Sequence, residues 1–411
     1  MDSPGCLDGV RVLELASPRI QYAGKLCGDM GADVIKIEPP GGDVARHVGP
    51  FVDDIPDPNR SIYFWHYNTS KRAITLELQA EQGRQLFERL LATTDVVLEG
   101  FDPDYLGNLG LDYDHIRKIN PRVIMASLTE FGQDGPWRHW KGGDLIQLAL
   151  GGTMASTGYD DPTSAPIAPG GYQAEHTGGH YIFIGVLAAL LERATSLEGQ
   201  YIDVAIHDAL SSLTDLAIPT WIYRKRALFR NTGQHAHVER PPQRQFRCKD
   251  GRYLNTLMPN LDASMWHALV SWLDSEGMAE DLWDEKYRDP YVRKETWHHW
   301  MGIVGKFIES HDSQLMYHGA QVRHITWAQV RAPEETLTDL HLEDRGFWAE
   351  VEHPEEQRPF TYPGAPYPMP EAPWKVRRRA PLVGEHNFDI YGQELGLTKD
   401  DLVTLAESRV I

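Results

Sequence analysis

The sequence predicts an α/β chain with a doubly wound large domain and a smaller α/β domain. Three observations carry this. Short apolar runs rich in β-branched residues alternate with helical runs through the first half of the chain, the signature of a parallel sheet. A length of 411 residues exceeds what one hydrophobic core usually organises, so two domains are expected. Past residue 225 the character changes to a basic, proline-bearing stretch and then to tryptophan-rich helical patterns.

The elements follow in order. VRVLEL (10–15) reads as a strand, YAGKLCGDMGA (22–32) as a helix ending in Gly31, and DVIKIE (33–38) as a strand. The pattern recurs as AITLEL (73–78), EQGRQLFERLLATT (81–94) and DVVLEG (95–100), then a helix near 112–118 and RVIMASL (122–128). HTGGHYIFIGVLAALLER (176–193) reads as a largely buried helix, YIDVAI (201–206) as a strand, and 207–225 as helical. The polar stretch 226–247 reads as a crossing linker and CKDGRYLNTL (248–257) as a hairpin strand. Helical patterns fill 262–320, WAQV (327–330) is extended, 352–384 is a surface run rich in proline and arginine, and DDLVTLAES (400–408) is a terminal helix.

Composition excludes several function classes. A net charge of −19 repels nucleic acid and anionic membranes. No apolar run of about 18 residues is present, so no membrane span is expected. The N-terminus has acidic residues and no long apolar segment, so it does not read as a signal peptide. Three scattered cysteines, Cys6, Cys27 and Cys248, fit a reducing cytoplasm better than a disulfide framework. No GxGxxG follows the first strand, which leaves a nicotinamide or flavin site unsupported. PPGGD (39–43) reads as a turn.

Longer motifs are more specific. LDGVRVLEL with GDMGADVIKIEPPGGD (28–43), YNTSKRAITLEL (67–78), LGLDYDHIRKINPRVIMASLTEFGQDGPW (109–137), GGDLIQLALGG (142–152), GQYIDVAIHDAL (199–210), CKDGRYL (248–254), RGFWAEVEHPE (345–355) and APLVGEHN (380–387) occur in one order along the chain. Together they resemble the class III coenzyme A transferases, the family of formyl-CoA and carnitine CoA-transferase. The resemblance implies a Rossmann-like large domain built from both termini, a small domain between, and an interlocked, obligate dimer. Residues 1–225 then belong to the large domain, 226–330 to the small domain with its linker, and 331–411 to a return linker and the C-terminal part of the large domain.

The resemblance also implies a chemistry. An enzyme carboxylate attacks an acyl-CoA thioester to give a mixed anhydride, the CoA thiolate converts it to an enzyme thioester, and an acceptor acid reverses the sequence. Acyl-CoA and a carboxylic acid are the expected substrates, with no permanently bound cofactor and no metal. The family's nucleophilic aspartate precedes a buried helix. In PGGYQAEHTGGHYIFIGVLAALLE (169–192) it falls on Glu175, followed by Gly178 and Gly179. Lys36, Arg46, Lys71, Arg72, Phe101, Arg138 and Lys141, with the two glycines, are the candidate CoA-binding residues, because cations bond strongly to phosphates.

The chain departs from the family pattern at three places. Ile20 and Gln21 replace a Gly-Pro, EGFDPD (99–104) replaces a motif with Asn, a basic residue and Gly, and HAHVERPPQRQ replaces a glycine-rich loop. Such departures suit the non-standard subunit of a heteromer such as succinyl-CoA:benzylsuccinate CoA-transferase. The alternative is a catalytically silent subunit beside an aspartate-bearing paralogue, in a heterodimer or heterotetramer. A racemase reading lacks its histidine, since Gly143 stands there. A zinc reading rests only on His176 and His180 at helical spacing.

Overall fold

A computed structural model describes residues 4–214, 216–256 and 261–411. The N-terminal residues 1–3, residue 215 of the predicted helical stretch and residue 257 of the predicted hairpin strand lie outside the described residues. The chain divides into two compact units, Met1–Gly151 with Gly170–Leu213 and Leu340–Ile411, and Gly152–Pro169 with Thr214–Asp339.

The larger unit is built on six parallel strands, β1 (Arg11–Leu15), β2 (Asp33–Glu38), β3 (Lys71–Thr75), β4 (Val96–Glu99), β5 (Ile124–Thr129) and β6 (Tyr201–Ala205), in the order β3-β2-β1-β4-β5-β6. Helices α1 (Gln21–Asp29), α2 (Ile62–Tyr67), α3 (Glu81–Leu91), α4 (Tyr105–Asn108), α5 (Tyr113–Ile119), α6 (Asp144–Leu150), α7 (Gln173–Ser196) and α8 (Ile206–Ser212) accompany them. Strand order reverses between β1 and β4, the switch point outside whose carboxyl ends ligands bind in such sheets.

Alternation along the strands assigns the two faces. Leu13, Leu15, Ile35, Ile37 and Ile74 pack with Phe87 and Leu90 of α3, Ile116 of α5 and Leu405 of the C-terminal helix Lys399–Glu407. The other face, toward α1, carries charges. Glu14, Lys36 and Lys71 are fully buried there. Lys36 meets Glu14 Oε1 at 2.9 Å and Asp43 Oδ2 at 2.7 Å, and Lys71 meets Glu14 Oε2 at 2.6 Å. A Cβ on Gly24 of α1 would stand 1.6 Å from Glu14 Oε2, so only glycine lets the helix lie against this pair.

The sequence placed β3 at 73–78, and the strand begins two residues earlier, at Lys71. Lys71 and Arg72 look like surface residues in one dimension, but Arg72 pairs with Asp33 at 2.6 Å across the neighbouring strand. Helix α7 buries one face only, with Ile184 and Leu191 exposed, where its composition suggested burial on most sides.

In the smaller unit, Gln245–Arg247, Tyr253–Thr256 and Trp327–Gln329 form an antiparallel sheet. Trp266, Trp272, Trp300 and Trp327 sit in its core. The predicted linker 226–247 contains a hairpin, Phe229–Asn231 with Gln234–His237. Its strands are short, and its side chains are mostly polar, so no apolar alternation marks them. In the larger unit a further hairpin, Trp348–His353 with Arg358–Pro363, forms where the sequence suggested a surface run over much of its length.

Removing one partner of a buried pair leaves an uncompensated charge. Glu14→Gln strands two buried ammonium groups and is expected to destabilise the larger unit by about 3–5 kcal/mol, read as a lower urea midpoint by circular dichroism.

Candidate active site

Glu175 lies in the first turn of α7. The chain enters the helix through Gly171 at φ +90 and Tyr172 in the left-handed region at φ 52, ψ 47. The Ala174 N–H donates to Asp144 Oδ1 at 2.8 Å, so the first residue of α6 satisfies an open amide of α7. Glu175 Oε2 is buried with no hydrogen-bond partner among the described residues. Burial, then the nearby charges of Asp144 and Glu130, push its carboxyl up to about 7. The helix N-terminus should favour the anion, but desolvation outweighs it here.

Aromatic side chains cluster around His176, the helix neighbour of Glu175, and around Tyr172. His176 stacks on Tyr22 at 4.4 Å, and its Nε2 lies 2.7 Å from the Tyr67 hydroxyl. Burial holds His176 below its ordinary range, so it is neutral near pH 7. His180 Nε2 contacts the Tyr22 hydroxyl at 3.3 Å. Tyr63 meets Tyr67 edge-on at 4.9 Å and Tyr172 at 5.2 Å.

A second feature is a cleft of about 440 Å³ at the β1/β4 switch point, lined by Ser17, Arg19, Pro39, Gly100, Phe101 and Asp102 among others. Gly100 is required by crowding, since a Cβ there would meet Ser17 Oγ at 2.9 Å.

Residues 7–387 match CoA-transferase family III. The chain belongs to this family. It is 29% identical over 386 residues to subunit BbsE of succinyl-CoA:(R)-benzylsuccinate CoA-transferase from Thauera aromatica, covering 92% of each chain. Formyl-CoA:oxalate CoA-transferase from Streptomyces coelicolor is 28% identical, over 98% of this chain and 99% of its own. The crystal structure of a CAIB/BAIF family protein from Brucella suis superposes with a TM-score of 0.80 at 27% identity, over 95% of this chain and 100% of its own.

Within this CoA-transferase fold, the candidate cations are not where phosphate binding would need them. Lys36 and Lys71 are fully buried between Glu14 and its neighbours. Arg46 is fully buried too, bonded to both Glu38 oxygens at 2.6 Å and lying over the Phe64 ring at 3.8 Å. Arg72 is taken by Asp33 and Glu394. These four brace the sheet, Lys36, Arg46 and Lys71 fully buried and Arg72 held by two carboxylates. Phe101 does line the switch-point cleft. Gly178 and Gly179 serve packing, since Cβ atoms there would stand 2.9 Å from Leu128 and Tyr22.

Arg138 and Lys141 remain at the surface, but carboxylates hold them. Arg138 pairs with Asp104 at 3.1 Å, and Lys141 with Asp102 at 2.7 Å. Arg19, which the sequence did not single out, pairs with Asp102 at 3.1 Å and Glu130 at 2.9 Å. Asp144, Glu130 and the tyrosines of α2 were also missed. Tyr63 and Tyr67 sit in SIYFWHYN, beside the matched NTSKR, and that proximity was the available signal.

Asp102 lies in the cleft beside the cations it neutralises. Asp102→Asn is expected to strengthen pyrophosphate binding by up to about fivefold at low salt, since an exposed pair is worth about 1 kcal/mol. Isothermal titration calorimetry of both proteins measures it.

Proposed function

We propose that this chain is a subunit of a CoA-transferase that moves CoA between an acyl-CoA and a carboxylic acid, with Glu175 as the nucleophile. The observation that carries the reading is the buried, unpartnered Glu175 Oε2 at the first turn of α7. A carboxylate oxygen without a donor keeps its lone pairs for attack on a thioester carbonyl. The attack forms the anhydride and releases CoA thiolate, which then attacks the Glu175 carboxyl carbon of the anhydride to give the glutamyl-CoA thioester and expel the free donor acid. The acceptor carboxylate reverses both steps. An acyl-CoA is the substrate, and no further cofactor is required.

The working form is an obligate oligomer. Leu145, Ile146 and Leu150 of α6 and Ile184 and Leu191 of α7 are exposed, an apolar set that a partner chain would cover. The benzylsuccinate relative is named as a subunit, which supports a heteromer. One observation favours a silent role within it, because Asp102 and Asp104 hold Lys141, Arg19 and Arg138.

Turnover of the purified chain, alone and with any copurifying paralogue, separates the two. With Glu175 as nucleophile, Glu175→Gln lowers kcat by ~10³-fold or more. Only the ionised carboxyl attacks, so kcat/KM falls about tenfold per pH unit below a midpoint near 7 and levels off above it. Undiminished turnover in Glu175→Gln assigns the chemistry to the other chain.

A further inference from the structure

A chain of buried amides leads from Lys71 to Tyr63, and its direction is fixed. The Lys71 ammonium can only donate, and three acceptors surround it: the Gln21 carbonyl at 2.8 Å, Asn68 Oδ1 at 2.9 Å and Glu14 Oε2 at 2.6 Å. Burial pushes Lys71 down to about 8, which leaves it charged at neutral pH. The Asn68 oxygen therefore faces Lys71. Its amide nitrogen independently faces the Phe64 carbonyl at 2.9 Å, which can only accept. The same nitrogen donates to Gln21 Oε1 at 3.1 Å. Gln21 must then turn its own nitrogen to the Tyr63 hydroxyl, 2.9 Å away. Gln21 and Asn68 are both buried, so neither amide can exchange these partners for bulk water.

The consequence falls on Tyr63. Its oxygen accepts from Gln21, so its proton stays uncommitted, and no acceptor for it occurs among the described residues. The ring is held edge-on by Tyr67 and by Tyr172, three residues before Glu175. The Glu175 charge is also among the influences that raise the Tyr63 phenol above its ordinary range, which places the two groups within electrostatic reach.

We infer that Tyr63 is a catalytic residue that donates a hydrogen bond to the acyl oxygen at Glu175, and that Gln21 and Asn68 are positioning residues that hold it as a donor. The inference rests on the acyl-transfer reading of Glu175. When Glu175 attacks the thioester carbon, the carbonyl π pair moves onto oxygen. The Tyr63 O–H bonds to that oxyanion without giving up its proton. Collapse re-forms the carbonyl and expels the CoA thiolate, and the donor is ready for the second attack. A donor aimed in advance stabilises the oxyanion without reorganisation.

The experiment compares kcat and KM in the purified oligomer for Tyr63→Phe, Gln21→Glu, Gln21→Leu and Glu175→Gln. Tyr63→Phe should lower kcat by ~10²–10³-fold with KM little changed. Gln21→Glu replaces the amide donor by an acceptor, turns the Tyr63 proton inward and should cost nearly as much, whereas Gln21→Leu leaves the hydroxyl free and should cost less. Tyr63 labelled with 13C at Cζ gives a second readout. At neutral pH its chemical shift should move in Gln21→Leu, which loses the hydrogen bond to the hydroxyl oxygen. Full activity in Tyr63→Phe with Glu175→Gln inactive overturns this inference alone. Full activity in Glu175→Gln overturns the acyl-transfer reading, and this inference with it. Equal losses in Gln21→Glu and Gln21→Leu with an unmoved chemical shift reduce Gln21 to a packing role and overturn the relay.

Discussion

One carboxylate under two ammonium groups organises the larger unit. Glu14 on β1 receives Lys36 from β2 and Lys71 from β3, all fully buried. Each would be costly to bury alone, and the mutual attraction offsets that cost only while the geometry holds. The geometry therefore propagates. Alternation places Glu14 and Lys36 on the same face, and they are also direct partners in the strand register. It requires a glycine at position 24, because α1 passes directly over Glu14. It draws in Asp43, the last residue of the PPGGD turn, which pairs with Lys36, and beside it Glu38 with Arg46.

The candidate site inherits its order from this bracing. Lys71 carries its third N–H outward, through Asn68 and Gln21, to Tyr63. From the opposite side α7 brings Glu175, seated by the Asp144 bond to Ala174 and by close packing of Gly178 and Gly179 on Leu128 and Tyr22. Tyr22 joins the two sides, since it stacks on His176 and belongs to α1, the helix lying over Glu14. A rigid ionic core thus sets the direction of a polar chain that ends in a partly open aromatic wall. The rigidity matters because misplacing a reacting group by about 1 Å can cost about a hundredfold in rate.

Apolar periodicity made most of this architecture legible in the sequence. Strand β2 falls on the six residues read from DVIKIE, and α3 starts where its pattern starts. Glu175 was read as preceding a helix at 176–193, but α7 begins at Gln173, so the carboxyl lies inside its first turn. What escaped reading has a common cause. Lys36, Arg46, Lys71 and Arg72 resemble phosphate ligands because a sequence shows charge without showing what faces it. Their partners Glu14, Glu38 and Asp33 lie on neighbouring strands or beyond a turn, a relation that exists only after the sheet has paired. The hairpin in 226–247 escaped for the converse reason, since its side chains are mostly polar and half exposed and leave no apolar alternation.

The same reasoning separates two kinds of acidic residue near the switch point. Glu14 and Glu38 neutralise buried cations, and removing them would expose the fold to unbalanced charge. Asp102 and Asp104 are half exposed and hold Arg19, Lys141 and Arg138 at the mouth of the cleft. Exposed pairs contribute little to stability, so these aspartates do little for the fold itself. Their effect is on the cleft, where they occupy the donors an incoming phosphate would otherwise meet. With a net charge of −19 adding a repulsive field, an anionic substrate entering there must displace both carboxylates or find its cations on another chain. On the second route of the proposed oligomer, a partner subunit would complete the binding site, and the exposed apolar faces of α6 and α7 would be where it docks.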